Sequence, residues 1–368
     1  MEFLTQTAHT LGSFIIVLSV IVFIHEFGHY IVAKWCGVKV EIFSIGFGKE
    51  LCGFTDRSGT RWKISALPVG GYVKMYGDSS EASTTDAETL EQLSDEQKSL
   101  TFHHKPLYKK ALIVVAGPTS NFLLTITMLT YFIMTTGLPS IQPVVGEVIK
   151  DSAAEEAGLK AGDRIVQIND EKVSRFSDIA YLISTNLGTA VTLHVERGNK
   201  VNLVTLTPKE FEDDDGLGNK IKRPLIGIRA TEIKIEDVGP VVAVQEAVRR
   251  TYLICTTTLT AIGQMITGQR GVHDLQGPVG IAKLSGQAAD KDAHTVLWLI
   301  AMLSANLGLV NLFPIPLLDG GHLAYYGVEA IRGRPMAQKM QEYGFRLGFI
   351  ILSSLMLLTL FNDIRKLL

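Results

Sequence analysis

The sequence predicts a polytopic α-helical membrane protein with four transmembrane helices, a membrane-associated β-hairpin region and an inserted extracytoplasmic domain of short strands. Three observations support this prediction. Apolar residues are concentrated in four long stretches, the segments between them alternate with the two-residue period of strands, and charged residues make up only 20% of the 368 residues. The formal net charge of −2 gives no basic footprint for nucleic acid, so nucleic acid is not an expected partner.

Four stretches are long enough to cross a bilayer, because a helix needs about 20 apolar residues to span the hydrocarbon core. They are residues 11–33, 111–138, 296–318 and 343–361. A fifth stretch, 251–268, is uncharged but rich in threonine, and we interpret it as an amphipathic or surface helix. Four crossings place the downstream ends of the first and third spans near the same membrane face.

Orientation follows from the basic residues close to the spans. The segments before the second span and after the third carry several lysines and arginines, whereas residues 1–10 have none. We therefore expect these two segments to be cytoplasmic, and both termini and residues 139–295 to be extracytoplasmic. A weaker cluster at the C-terminus indicates the opposite orientation. The residues concerned are Lys105, Lys109, Lys110, Arg332, Arg334 and Lys339, with Arg365 and Lys366 at the C-terminus.

The region 143–209 alternates between short strands and turns. Its strands are expected at 144–149, 165–168 and 191–195, with a capped helical turn and glycine-punctuated turns in the tract 151–163. This tract, DSAAEEAGLKAGD followed by RIVQIN, resembles the PDZ domains common in bacterial proteases. Such domains receive an extended peptide by strand addition. The alternative is a packing module that binds nothing.

The remaining soluble parts complete the predicted order of domains. Residues 210–222 are acidic and glycine-rich and predict a flexible linker. The predicted order is a first transmembrane helix (1–36), a membrane-associated β-hairpin region (37–77), a cytoplasmic loop (78–110), a second transmembrane helix (111–138), a PDZ domain (139–210), a linker and amphipathic helix region (211–295), a third transmembrane helix with its following motif (296–322), a cytoplasmic loop (323–342) and a fourth transmembrane helix (343–368).

The first span contains His25-Glu26-Phe27-Gly28-His29, an HExxH pattern. Residues i and i+4 share a helix face, so both imidazoles can reach one Zn²⁺, and Glu26 is placed to take a proton from the attacking water. Ionisable residues are costly inside a membrane and therefore favour a functional interpretation. The alternative is that these side chains only bridge neighbouring helices.

A catalytic zinc ion usually has three protein ligands, so the two histidines need a partner. Asp319, which follows the third span, is the candidate third ligand. His322 could be a ligand by residue type, but is better explained as a residue that supports the site or packs at an interface. We expect the other histidines, which lack ligand spacing, at the surface; they are His9, His103, His104, His194, His273 and His294.

The segment before Asp319 reads NLGLVNLFPIPLLDGGH from Asn306 onward. Pro314 and Pro316 predict a break in the helix and an extended backbone whose free amide groups can pair with a substrate strand. Asn306 and Asn311 could hold an unwound substrate or the tetrahedral intermediate. Hydrogen bonding between helices is the equally weighted alternative for both asparagines.

Taken together, the motifs resemble site-2 proteases, most closely the bacterial RseP type. The resemblance rests on HEFGH in the first span, GPTSNF at 117–122 in the second, the PDZ-like tract and NxxPxPxLDGGH after the third span, and it covers nearly the whole chain in the right order. The one departure is a single PDZ domain in place of a tandem pair, which weakens any expected role in excluding bulky substrates.

This resemblance implies a zinc metalloendopeptidase of the bacterial inner membrane with one Zn²⁺ per chain. It implies that His25, His29 and Asp319 bind the metal and that Glu26 is the general base. The residues implied in substrate binding are Asn306, Asn311, Pro314 and Pro316.

The expected partners follow from the same resemblance. They are membrane lipids, a peptide for the PDZ domain, and single-span membrane proteins already trimmed by a site-1 protease, such as anti-sigma factors or remnant signal peptides. The rival functions are a metal or ion transporter and a non-catalytic scaffold.

Overall fold

The computed structural model describes residues 2–78, 93–140, 142–184, 186, 188–198, 200–214, 220–230, 234–334 and 336–367. In chain order the elements are α1 (Glu2–Trp35), β1 (Val40–Thr55), β2 (Arg61–Met75), α2 (Asp95–Ser99), α3 (Leu107–Thr136), β3 (Leu138–Ser140), β4 (Val145–Val148), α4 (Ala153–Glu156), β5 (Arg164–Ile168), β6 (Glu171–Lys172), α5 (Phe176–Ser184), β7 (Val191–Arg197), β8 (Lys200–Leu206), β9 (Lys209–Asp214), β10 (Lys220–Leu225), β11 (Ile228–Ala230), β12 (Lys234–Glu236), α6 (Pro240–Ile266), α7 (Pro278–Lys291), α8 (Ala293–Asn311), α9 (Asp319–Arg332) and α10 (Gln338–Leu367). They form two compact units: unit 1 is Met1–Met128 with His273–Leu368, and unit 2 is Leu129–Val272.

Four helices among the described residues are long and apolar enough to cross a membrane, as the sequence predicts. They are α1, α3, α8 and α10. The threonine-rich stretch 251–268 lies almost wholly in α6, which is a helix of 27 residues but is not among the candidate spans. The protein is therefore a membrane protein with four candidate spans in the described part of the chain.

In unit 1, β1 and β2 form an antiparallel pair that follows α1 directly. Ile42 has Cα partners in both Arg61 and Lys74, so the first part of β1 pairs with both ends of β2. The register shifts several times along the pair. The turn between the strands is held by Asp56, whose Oδ1 accepts hydrogen bonds from the amides of Ser58 and Thr60. These strands correspond to the β-rich segment predicted at 37–77.

The third span is shorter than predicted. Helix α8 ends at Asn311, and residues 312–318 form turns rather than an extended strand. Pro314 and Pro316 break the helix as expected, because neither ring nitrogen can donate a hydrogen bond. The amides of Ile315 and Leu318 then close turns on the carbonyls of Phe313 and Ile315, which folds the segment back on itself.

The predicted cytoplasmic loop 323–342 is also largely helical. Helix α9 begins at Asp319 and runs to Arg332, where Gly333 ends it in the left-handed conformation at φ 67°. The turn before α9 packs tightly on the helix start: a Cβ at Gly320 would lie 2.3 Å from the carbonyl oxygen of Leu312. The LDGG sequence therefore makes a helix begin directly against the end of α8.

Unit 2 is built around a four-stranded sheet in the order β6-β5-β7-β8. Its core consists of the inward-facing residues of the strands and of α5, among them Ile165, Ile179 and Leu193. The capped helical turn predicted in 151–163 is α4, in which Ser152 accepts a hydrogen bond from the amide of Glu155. The strands predicted in 144–195 match β4, β5 and β7; the PDZ assignment itself stays a prediction.

The segment predicted as a flexible linker at 210–222 contains paired strands in the residues described there, and residues 215–219 lie outside the described part of the chain. Strands β9 and β10 pair in regular antiparallel register, from Lys209 opposite Leu225 to Asp214 opposite Lys220. Four of the acidic residues that suggested a linker, Glu210, Glu212, Asp213 and Asp214, lie within β9, which is paired along its whole length. Composition alone is therefore misleading where the backbone hydrogen bonds of a hairpin decide the conformation.

A candidate metal centre in unit 1

Helix α1 places the two histidines of HExxH one turn apart, and α9 brings its first residue to them. The Nε2 atoms of His25 and His29 lie 3.3 Å apart. The Oδ2 atom of Asp319 lies 3.3 Å from the Nε2 of His25 and 3.5 Å from that of His29. The three side chains are only 11, 12 and 16% exposed. Residues from distant parts of the sequence thus point one donor atom each at a common centre.

These distances fit a tetrahedral zinc ion. With bonds of about 2.0–2.1 Å, two ligand atoms of a tetrahedral site lie about 3.3–3.4 Å from each other. The Oδ2 atom of Asp319 is buried and accepts no hydrogen bond from any described residue. A cation at this point would stabilise the buried carboxylate oxygen, and two imidazoles and one carboxylate are a donor set that zinc prefers.

The carbonyl oxygen of Ile113, on α3, fixes the orientation of His29. The Nδ1 atom of His29 donates a hydrogen bond of 2.8 Å to it. An imidazole that donates through Nδ1 keeps the lone pair on Nε2, and that is the nitrogen aimed at Asp319. Backbone of the second span thus prepares His29 for metal binding.

Two glycines allow α1 and α3 to approach each other at the site. A Cβ at Gly117 would lie 2.2 Å from the Nε2 of His29 and 2.9 Å from the Cε1 of His25. A Cβ at Gly28 would lie 2.4 Å from the carbonyl oxygen of Ala116. Small residues let membrane helices pack closely, and here they also leave room for the imidazoles.

The three residues open onto a cavity of about 660 Å³ that Glu26 also lines. Strand β2 contributes Gly71 and Tyr72 to its wall, and α9 contributes Tyr325 and Tyr326. Gly71 packs closely on Glu26, because a Cβ there would lie 3.0 Å from its Cγ. The β segment after the first span therefore forms part of the wall of the cavity beside the candidate metal centre.

The predicted location of one histidine differs from its location in the structure. His103, predicted at the surface, lines this cavity, and its Nε2 atom is hydrogen-bonded to the Oδ1 of Asp78 at 2.9 Å. Asp78 is buried and also accepts a hydrogen bond from the amide of Met75, the last residue of β2. No ligand spacing marks His103 in sequence, because its place depends on its contact with Asp78, 25 residues earlier in the chain.

The predicted substrate-binding residues divide into two groups. The Nδ2 atom of Asn311 lies 3.3 Å from the Nε2 of His25, so this side chain belongs to the site. Asn306 lies earlier on α8, and neither it nor the two prolines is among the described residues that line the cavity. Pro316 packs against α10 instead: a Cβ at Gly348 would lie 1.9 Å from its carbonyl oxygen. His322 lines the cavity but is not part of the three-residue cluster.

Sequence reasoning assigned no role to Ile113, Gly117 and Asn121, all of which contact the histidines. Asn121 is fully buried, and its Nδ2 lies 3.3 Å from the Nδ1 of His25. A glycine and an asparagine within an uncharged span are a usable signal, since polar side chains inside membranes need partners. The partner, however, can be identified only once α1 and α3 are packed.

The family model described as peptidase family M50 matches residues 13–355. A protein of Agrobacterium fabrum named as a zinc metalloprotease is 44% identical over 358 residues, which cover 96% of this chain and 95% of that protein. One of Rickettsia conorii with the same kind of name is 41% identical over 96% of this chain and 98% of its own. Metalloprotease MmpA of Caulobacter vibrioides is 33% identical over 97% and 95%.

Proposed function

Because the chain belongs to peptidase family M50 and is a zinc metalloprotease built on membrane-spanning helices, we propose that it cleaves peptide bonds inside the transmembrane segments of single-span proteins. The observation that carries the proposal is the cluster of His25, His29 and Asp319, whose histidines lie within a candidate span. Metal-binding histidines within a span favour substrates that share the membrane.

We propose that His25, His29 and Asp319 hold one zinc ion. Bound there, zinc would polarise a scissile carbonyl and lower the pKa of water toward neutrality. Glu26, in the wall of the same cavity, accepts the proton of the attacking water at its carboxylate and passes it to the leaving nitrogen. The side-chain amide of Asn311 donates a hydrogen bond to the carbonyl oxygen as that oxygen gains negative charge.

The substrate has to unwind before it reacts, because an intact helix hides its amides in its own hydrogen bonds. We propose that the released strand adds to the sheet beside Gly71, which lies opposite Ile45 in the β1–β2 pair and lines the cavity. Main-chain hydrogen bonds to an added strand hold any sequence in an extended form. Side-chain preference is then limited to what the cavity accepts.

The proposed setting is the bacterial inner membrane, with the metal centre open to the cytoplasm and unit 2 in the periplasm. This orientation is supported by basic residues just before and at the start of α3 and by others at and just after the end of α9; they are Lys105, Lys109, Lys110, Arg332 and Arg334. Water then reaches the cavity from the cytoplasmic face. We propose that unit 2 acts as a PDZ domain that binds a peptide, and that substrates are first trimmed outside by another protease.

Cut-site mapping tests this proposal. The purified protein is reconstituted in liposomes with a single-span reporter that lacks a folded external domain, and products are identified by mass spectrometry. We expect a cut within the apolar segment, and no product when zinc is first removed with a chelator. Cuts confined to the flanking soluble residues would contradict intramembrane cleavage. Metal flux without products would support the transporter, and reporter binding without products would support the scaffold.

A further inference from the structure

The side chain of Asn121 is the least explained polar group beside the metal centre. It lies on α3 at 0% exposure, with its Nδ2 atom 3.3 Å from the Nδ1 of His25. Its Oδ1 atom is buried and has no hydrogen-bond partner among the described residues. A buried amide oxygen without a donor is costly, by roughly 1–3 kcal/mol in proteins. The amide therefore serves something beyond packing.

A histidine that binds a metal through one nitrogen carries its proton on the other nitrogen and needs an acceptor for it. For His29 that acceptor is the carbonyl oxygen of Ile113. His25 requires the same at Nδ1, and the side chain that faces its Nδ1 is Asn121. A rotation of 180° about the last side-chain bond of an asparagine exchanges its oxygen and nitrogen. That rotation places the Oδ1 of Asn121 opposite the Nδ1 of His25. The amide oxygen then has a hydrogen-bond donor, and the Nδ1–H group has an acceptor.

We propose that Asn121 is a positioning residue that accepts the Nδ1–H of His25 and thereby keeps the Nε2 lone pair directed at the centre shared with His29 and Asp319. This inference rests on the proposed zinc site. Helix α3 then orients both histidines, one through a backbone carbonyl and the other through a side chain. In the opposite orientation the amide would donate to Nδ1 and leave the proton of a neutral imidazole on Nε2, where it blocks metal binding.

Hydrogen bonds from α8 and from α3 itself hold the backbone carbonyl of Asn121. They limit how far its side chain can move away from His25. Its carbonyl oxygen accepts a hydrogen bond of 3.0 Å from the hydroxyl of Ser304 and one of 2.9 Å from that of Thr125. The hydroxyl of Thr125 also reaches the carbonyl oxygen of Ala301 at 3.0 Å. A Cβ at Gly308 would lie 3.2 Å from the Cβ of Asn121, so the helices touch here.

Two substitutions separate acceptance from packing. Asn121→Leu keeps the branched shape and removes the acceptor, whereas Asn121→Asp keeps an acceptor and removes the donor. Zinc affinity of the purified full chain in detergent is measured by competition with a chelator. We expect Asn121→Leu to weaken zinc binding about 10–100-fold, as for other partners of metal-bound histidines. We expect Asn121→Asp to bind zinc at least as tightly as the wild type.

Thr127→Val is the control, because it removes a hydroxyl from the same helix, six residues beyond Asn121, whose hydrogen bond goes to the carbonyl oxygen of Leu123 on α3 itself. We expect it to leave zinc affinity unchanged. Equal losses in the Leu and Asp variants would overturn the proposal, and so would wild-type affinity in the Leu variant. Should the Leu variant fail to fold, nitrogen NMR of histidine-labelled, zinc-loaded wild type decides: a proton on Nδ1 of His25 is expected, and ligation through Nδ1 refutes the idea. Failure of the wild type to bind zinc would instead refute the proposed function.

Discussion

The metal centre depends on the side chains that provide ligand atoms and also on a glycine that has no side chain. His25, His29 and Asp319 supply donor atoms 3.3 to 3.5 Å apart. Gly117 leaves the space that the imidazole of His29 occupies, because any side chain at position 117 would overlap that ring. The geometry of the centre is therefore set jointly by ligands on α1 and α9 and by a missing Cβ on α3.

Gly117→Ala tests this. The added methyl would lie 2.2 Å from a ligand nitrogen, so we expect the imidazoles to move and zinc affinity to fall at least about tenfold. Zinc content after dialysis and reporter cleavage are the measurements. Gly12→Ala in α1 is the control, because its Cβ would meet nothing within 4 Å. Retention of full zinc affinity in Gly117→Ala would contradict the close packing described here.

At the scale of elements, buried carboxylates connect neighbouring helices through hydrogen bonds and ion pairs. In unit 1, Asp363 near the end of α10 is only 4% exposed and accepts hydrogen bonds from three backbone amides at the start of α7. In unit 2, Glu246 on α6 receives Arg175 from just before α5, together with Arg249 and Arg250 of its own helix.

Removal of the carboxylate in Asp363→Ala should loosen α7 from α10. The amides of Gly277, Val279 and Gly280 would lose a charged acceptor at 2.9–3.0 Å. Hydrogen bonds to charged groups contribute about 1.5–3 kcal/mol, so we expect a clear fall in the thermal midpoint of the detergent-solubilised protein. Arg365→Ala, at an exposed neighbouring position, serves as control. A midpoint no lower than that of the control would show that this contact adds no stability.

The Glu246 cluster predicts a pH-dependent stability for unit 2. Burial alone would raise the pKa of Glu246, but hydrogen bonds from Arg249, Arg175 and Arg250 outweigh it and hold the pKa at about 2, against an ordinary value of 4.5. A carboxylate with a lowered pKa stabilises the fold above its ordinary value and loses that contribution as pH falls from about 4.5 to about 2.

Glu246→Gln should therefore destabilise unit 2 by about 1–3 kcal/mol at pH 7, with the difference from wild type shrinking toward zero near pH 2. Urea denaturation of the full chain, read by hydrogen exchange of α5 peptides at each pH, measures it. Glu147→Gln removes an exposed ion pair with Arg229 and should change little. A difference that stays constant with pH would exclude the proposed linkage.

Sequence reasoning succeeds where a local pattern determines the structure and fails where a tertiary contact does. The four spans and the ligand pair His25 and His29 follow from hydropathy and helical periodicity, and Asp319 follows as a candidate because it lies just after a span. The turns at 312–318, the β9–β10 pairing and the location of His103 depend on partners remote in sequence. Asn121 shows the limit most clearly, because its partner His25 lies on another helix.

At the scale of the whole molecule, all three proposed ligands belong to unit 1, although α1 and α9 lie at opposite ends of the chain. A ligand that binds only the folded state stabilises it, by about 4.1 kcal/mol when present at 1,000 times its dissociation constant. Zinc would therefore tie the first and last thirds of the sequence together.

Chelation should lower the protection of α1 and α9 amides in hydrogen exchange and the thermal midpoint of unit 1. Unit 2 provides no ligand, so its sheet peptides are an internal reference in the same sample. Restoring zinc should restore the protection. Unchanged exchange in α1 and α9 after complete removal of zinc would contradict a metal that links them.

The most direct test of the central claim is a comparison of Glu26→Gln, Asp319→Asn and wild type for zinc content and for cleavage of a transmembrane reporter. If Glu26 is the base and Asp319 a ligand, Glu26→Gln should retain about one zinc per chain and lose cleavage, by roughly 10²-fold or more. Asp319→Asn should lose both zinc and cleavage. Full cleavage by Glu26→Gln, or full zinc content in Asp319→Asn, would contradict the assignment.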